Sequence, residues 1–332
     1  MKKFKKYLRW ETMLIAVLLI EILIFGAINP RFLNLTTLLY SINDFVAIGI
    51  IALFVTFVII TGGMDISSGS IIGLTSITMG LLWKLLGIDI WLTIPLALLV
   101  GLLAGALNGY LVSYVGVQPM VTTLGTSLFY SGISLVVMGL SGASTFEGIG
   151  NFPRSFINLS NGSILYLPIP LILFIALFVI AYVLLHRTKY GRYIYLIGIN
   201  PNAAKYSGIK IKPVVMSVYM LSGTAASIAG VIMTSYLGSS RPDHGATLTM
   251  PIITAVVLGG TLITGGGGSV FGTALAALIV GFFRFGSQMA GISSQHISIG
   301  EGILLIGAVA LRGVDLRMAA NHLLPQRNII KN

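Results

Sequence analysis

Ten apolar stretches follow one another with little between them, at residues 12–28, 45–61, 66–86, 90–114, 120–139, 166–185, 214–236, 250–263, 268–290 and 297–312. A helix needs roughly 20 apolar residues to cross a bilayer, because no water in the hydrocarbon core satisfies its backbone. The pattern predicts an all-α integral membrane protein of about ten transmembrane helices, a single domain over residues 1–332. The eighth stretch is short for a full crossing and reads as a re-entrant or broken helix. Composition agrees: 56% of the residues are hydrophobic and 9% are charged. A soluble domain carries roughly 25% charged residues.

The first stretch follows the basic segment MKKFKKYLRW, as in a signal peptide. What comes next is Asn29-Pro30-Arg31-Phe32 rather than a small-residue cleavage site, so it reads as an uncleaved first crossing. Glu21 within it is expected to face other helices. The net charge of +11 is a topology signal, since membrane proteins keep Lys and Arg at the cytoplasmic face. Five of the twenty basic residues lie in 1–10, six in 186–212 and four in 312–332. Ten crossings put those three segments on one side, so both termini and the 186–212 loop are expected in the cytoplasm. Residues 140–165, with Glu147 and Arg154, form the largest extracytoplasmic loop. It reads as a solvated connector or as a docking rim for an external partner. The basic balance is thereby spoken for, and nucleic acid is not an expected partner.

Chemistry is sparse. The chain has no cysteine, and its four His residues, at 186, 244, 296 and 322, are too scattered for a zinc site. Nine acids in 332 residues form no paired carboxylates and no Ser-His-Asp order, so neither an enzyme nor a cofactor is expected. Gly101, Gly105 and Gly109 share one helix face, where small residues let membrane helices approach closely. The clusters TGGMDISSGSIIG (61–73) and LGGTLITGGGGSVFG (258–272) match each other, which points to an internal repeat. Neither is a phosphate loop, because Ser70 and Ser269 stand where a Lys would be needed. Asp65 with Ser67 and Ser68 reads as the N-cap of the third crossing, or as a ligand contact. Arg284 and Glu301 fall at similar depth in neighbouring crossings, which predicts an ion pair or shared polar cluster. Such a pair locks two helices or lines a path.

The loop HRTKYGRYIYLIGINPNAAKYSGIKIKP, 186–213, is too long for a turn. Asn200 suits a helix cap, Pro201 the first helical position and Gly208 the end. Tyr193, Tyr195, Leu196, Ile197 and Tyr206 add apolar surface. A short, partly apolar helix on the cytoplasmic face suits a groove on another protein, with lipid headgroups as the alternative.

Within it, RTKYGRYIYLIGINPNAAKYSGI is very similar to the cytoplasmic loop of sugar-type ABC importer permeases, the ribose and branched-chain amino acid permease superfamily. The matching residues are Thr188, Gly191, Arg192, Gly198, Asn200, Ala203, Ala204, Ser207, Gly208 and Ile209. GGMDISSGS (62–70), NGYLVSYVGVQPMVTTLGT (108–126) and AVVLGGTLITGGGGSVFGT (255–273) follow the family in order, and the likeness runs from about residue 11 to 313. One departure is Thr249-Met250-Pro251, where many sugar permeases carry an acid. The resemblance implies a type II-like permease of the bacterial inner (plasma) membrane with no ATPase of its own. It implies a second permease, so that a path forms between two permeases. It also implies a cytoplasmic ATP-binding subunit pressing on the 186–212 coupling loop, and a periplasmic substrate-binding protein delivering a small, sugar-like ligand. For such a ligand Asn108, Gln118, Thr122, Thr123 and Thr126 are candidates to line the path. An ion-coupled secondary transporter is the rival class. Glu21, Asp44 and Glu301 are too few and too near the ends of their stretches to favour it.

Overall fold

The computed structural model of the chain describes residues 2–142 and 148–323; Glu147, Arg327 and Lys331 lie outside the described residues. The chain is mostly helical. Helix α1 (Lys2–Ile28) and a 3-10 turn (Pro30–Leu33) lead to α2 (Leu35–Ile60) and α3 (Ser68–Lys84). Helix α4 (Ile90–Tyr110) runs on into a π-helical turn (Leu111–Val115), and α5 (Pro119–Leu140) follows. Next come α6 (Arg154–Asn161), a small hairpin of β1 (Ser163–Ile164) and β2 (Leu167–Pro168), and α7 (Ile169–His186). Helices α8 (Lys189–Ile199) and α9 (Pro201–Tyr206) precede α10 (Ile211–Leu237), α11 (Thr249–Leu258), α12 (Val270–Met289) and α13 (Ser294–Leu323). Among the described residues, seven helices are long and apolar enough to cross a membrane: α1 from Trp10, α2, α4 with its extension, α5, α7, α10 and α12.

Helix α2 is the hub. It is apolar on every side from Phe45 to Ile60, as an interior membrane helix must be, and 94% of its most apolar window is buried. It starts at Leu35, ten residues before its apolar run, because its polar residues find partners. Asn34 Oδ1 accepts the Thr36 N–H at 2.9 Å, Asn43 Nδ2 donates to Ser160 O at 3.2 Å, and Asp44 Oδ1 accepts from Tyr236 at 2.6 Å. Helices α1 and α7 lie at the periphery, with 22% of their windows buried. The glycine stripe of α4 faces α10. A Cβ on Gly101 would meet Ser227 and Gly223 O, one on Gly105 Tyr219 O, and one on Gly109 Met216 O. The two backbones therefore approach closely, the way helices pack without a hydrophobic drive.

The eighth apolar stretch holds a helix too short to cross a bilayer alone. Helix α11 has ten residues, about 15 Å of rise, which is half a bilayer core. The residues before it, 239–248, are non-helical and run beside α3, with Ser240 against Gly80, Pro242 O against Gly73 and Gly245 against Gly69. Their polar sequence SSRPDHGA hides them from a search for apolar runs. Residues 140–165 hold more structure than a connector: α6 packs on α10, with Ser160 Oγ donating to Ile232 O and Ser235 Oγ to Phe156 O, at 2.9 and 2.6 Å. The 186–212 segment holds two helices rather than one, α8 having been masked by its basic residues.

Candidate functional site

The 186–212 segment is seated by backbone contacts. Thr188 caps α8: its Oγ1 accepts the Gly191 N–H at 3.3 Å and donates to Leu184 O at 2.6 Å. Gly191 lies so close to Leu185 O that a Cβ there would collide, which lets α8 fold back on the end of α7. At the other end Gly198 lies against Ile60 O and Gly266 N. Ile60 O also accepts the Gly266 N–H at 2.8 Å. Gly265 and Gly266, with φ of +86° and +74°, turn the chain so that it meets Gly62 and Ile199. Three segments thus meet peptide to peptide: the end of α2, the end of α8 and the loop before α12. The two glycine clusters of the sequence join here.

Helix α9 projects from this junction. Asn200 Oδ1 accepts the Ala203 N–H at 3.1 Å, Ser207 Oγ donates to Ala203 O at 3.0 Å, and Gly208 at φ +77° ends the helix. Ala204 packs inward while Lys205 and Tyr206 point out; Tyr206 is 92% exposed. Leu196 and Ile199, at the end of α8, are also exposed. Arg192 borders a cavity of about 670 Å³ shared with Glu11, His186, Tyr195, Ser269 and Phe271. Tyr195 donates to Gly268 O at 2.8 Å. Tyr190 bonds Ser217 Oγ at 2.7 Å, and burial pushes its hydroxyl up to about 12, so it stays neutral.

A second polar cluster lies in the interior. Asp65, 2% exposed, accepts the Ser67 N–H and Oγ–H on Oδ1 at 2.9 and 2.7 Å, and the Ser222 hydroxyl on Oδ2 at 2.6 Å. It therefore sits ahead of the α3 cap position, Ser67, whose side chain makes no capping bond; Ser68 Oγ is buried and unpartnered. Asn108 Nδ2 donates to Ser67 Oγ at 2.7 Å, and Tyr130 bonds Ala104 O and Asn108 Oδ1. Asn108, Thr122, Thr123 and Thr126 are all buried; Gln118 is exposed at the start of α5. Thr123 Oγ1 bonds Pro119 O and Met64 O, while Thr122 Oγ1 has no partner among the described residues. Arg284 Nη1 lies 3.1 Å from Glu301 Oε1, which joins α12 to α13. Glu21 is buried in α1 with neither carboxylate oxygen bonded among the described residues. No group of three metal-binding side chains occurs among the described residues.

Among the described residues, seven helices long and apolar enough to cross a membrane are the architecture of a multi-pass membrane protein. The family model for the branched-chain amino acid transport system permease component matches residues 37–309, and the chain belongs to that family. It is a multi-pass membrane permease. Among curated relatives, the autoinducer 2 import system permease protein LsrD of an Enterobacter species is 48% identical over 309 residues, 93% of this chain and 94% of the relative. LsrD of Salmonella typhimurium is 48% identical over 316 residues, 95% of each chain. LsrD of Klebsiella pneumoniae is 46% identical over 312 residues, 94% of each. No solved structure matches the chain.

Proposed function

We propose that this chain is the permease subunit of a binding-protein-dependent ABC importer that carries autoinducer 2, a small sugar-like ligand, into the cytoplasm. The observation that carries this reading is relatives 46–48% identical over more than nine-tenths of both chains, each named an autoinducer 2 import permease. In this reading the chain crosses the inner membrane ten times, with the seven long helices, α3, α13 and a broken crossing that ends in α11. Both termini and the pair α8–α9 face the cytoplasm, which the clustering of fifteen of the twenty basic residues supports.

The motor is a separate ATP-binding subunit. Tyr206, Leu196 and Ile199 offer it exposed apolar side chains, and the contact of Gly198 with Ile60 and Gly266 carries its push to α2 and the loop before α12. A second permease, most simply a different one, closes the route. Its supporting observation is the exposed face of α5, where Gly125, Gly132 and Gly139 recur every seventh residue with open space above them. Residues 148–165, with Arg154, form the rim for the periplasmic binding protein. Gln118 lies at the inner mouth, and Asn108, Thr122, Thr123 and Thr126 stiffen the wall behind the route. The Arg284–Glu301 pair holds α12 to α13 and takes no part in transport.

The test is uptake. Expressed with its companion subunits in cells lacking their own importer, the chain is expected to deplete autoinducer 2 from the medium. Depletion of ribose or another monosaccharide instead would replace the cargo. Ion-driven transport by the chain reconstituted alone would end the importer reading.

A further inference from the structure

The stretch 239–248 is irregular and runs beside α3, which crosses the membrane in the ten-crossing reading proposed above. Ser240 Oγ donates to Ser76 O, and the chain then passes Gly73 at Pro242 and Gly69 at Gly245. From Gly69 to Gly80 a helix rises about 16 Å, so this segment covers half the height of a bilayer core. Its internal backbone bonds are Ala246 N–H to Asp243 O at 3.0 Å and Leu248 N–H to Gly245 O at 3.1 Å. Asp243, Ala246 and Thr247 are exposed. Lipid does not tolerate exposed irregular backbone; at this depth it survives only inside protein or beside water.

Next to Gly69 on α3 stands Ser70, which faces α5. Its Oγ lies 2.7 Å from Ser127 Oγ and accepts from Ser131 Oγ at 3.0 Å. All three serines are half-buried on the seam between α3 and α5, and Gly69, the residue before Ser70, carries the irregular stretch at Gly245. Each hydroxyl both donates and accepts, so the chain of three can open to a ligand's hydroxyls and close again at little cost. The nearby carboxylate of Asp243 is paired with Arg241 at 2.7 Å, which leaves the strip without a free charge of its own.

We propose that Ser70, Ser127, Ser131 and Thr247, with the backbone of 243–247, form a water-lined wall of the cargo route that passes a neutral, polyhydroxylated ligand. The cargo in this inference rests on the importer reading; the wetness of the wall does not. Neutral hydroxyl exchange suits a conduit, where binding must be firm enough to enter and weak enough to leave.

The chain has no cysteine, so single substitutions report cleanly. In the assembled importer in vesicles, Thr247→Cys and Ser131→Cys are treated with a charged methanethiosulfonate, and the label on this chain is read by intact mass. Leu23→Cys, at a position 66% exposed on peripheral α1, is the lipid-facing control. The reagent needs a hydrated thiolate, so both variants are expected to react at least about tenfold faster than the control. Autoinducer 2 with its receptor is expected to slow them. Rates as low as that of Leu23→Cys overturn the proposal and leave the strip dry against a partner. Fast labelling that autoinducer 2 never slows, in an importer that carries it, overturns it too. Failure of the wild-type importer to carry autoinducer 2 sinks the importer reading instead, and the rates still decide whether the wall is wet.

Discussion

Asp65 is a carboxylate held inside the helix bundle by hydroxyls and one peptide N–H. Removing it strands the groups of Ser67 and Ser222 that it satisfies. Asp65→Ala is expected to cost about 3 kcal/mol or more, seen as a lower thermal midpoint and yield in detergent. Asp65→Asn keeps one acceptor and lets the Ser222 hydroxyl turn to accept, so it is expected to lose less than half as much. Gly198 is the other critical position. Gly198→Val forces side-chain atoms into Ile60 O and Gly266 N, an overpacking of about 1–3 kcal/mol. Its stronger expected effect is on coupling: ATP hydrolysis by the assembled importer persists while uptake falls at least about tenfold, for a loss of roughly 1.4 kcal/mol or more in productive coupling. The sequence showed Asp65 as a cap because Ser67 and Ser68 follow it. Its partner Ser222 lies 157 residues away, and no local pattern announces such a bond.

At the scale of elements, α8 and α9 form one projecting piece. Tyr206 is almost wholly exposed, so Tyr206→Ala should change the stability of the chain by under about 0.5 kcal/mol. Co-purification of the ATP-binding subunit is expected to fall at least about tenfold, because exposed aromatics are the anchors of interfaces. Lys189 and Lys205, both exposed, are expected to react with an impermeant amine reagent only from the cytoplasmic side. Legibility differed between elements for physical reasons. Helices α4, α5, α10 and α12 were readable to within a few residues, since unbroken apolar length is what a bilayer demands. Helix α8 was not. It buries Gly191, Ile194 and Ile197 on one side while Arg192 and Tyr193 stay exposed, and averaging over a window erases that stripe. The cap and end of α9 were legible because Asn200, Pro201 and Gly208 act on backbone within three residues of themselves. The packing of the irregular stretch 239–248 on α3 was illegible, because a polar run gives no apolar signal of burial.

On the scale of the whole molecule, α2 is wrapped on all sides while α5 leaves a face open. Gly132 on that face has nothing within 4 Å of a Cβ position, so the lone chain has room for a large residue there. Gly132→Trp is therefore expected to fold with unchanged yield and thermal midpoint, yet to lose the second permease on purification and with it uptake. An unchanged assembly would move the pairing face elsewhere. The interior polar residues illustrate what one chain conceals: Asn108 bonds Ser67, and Thr123 bonds Pro119 and Met64, partners that no local pattern announces.

The junction of Ile60, Gly198 and Gly266 has a mechanical consequence. Side chains are springs that can bend before they transmit, whereas peptides in contact have almost no travel to give. On the proposed importer reading, a thrust arriving at α9 is expected to reappear at once as movement of α2 and of the loop before α12. Such gearing has no slack, and uptake per nucleotide hydrolysed by the assembled importer is expected to stay constant as turnover rises.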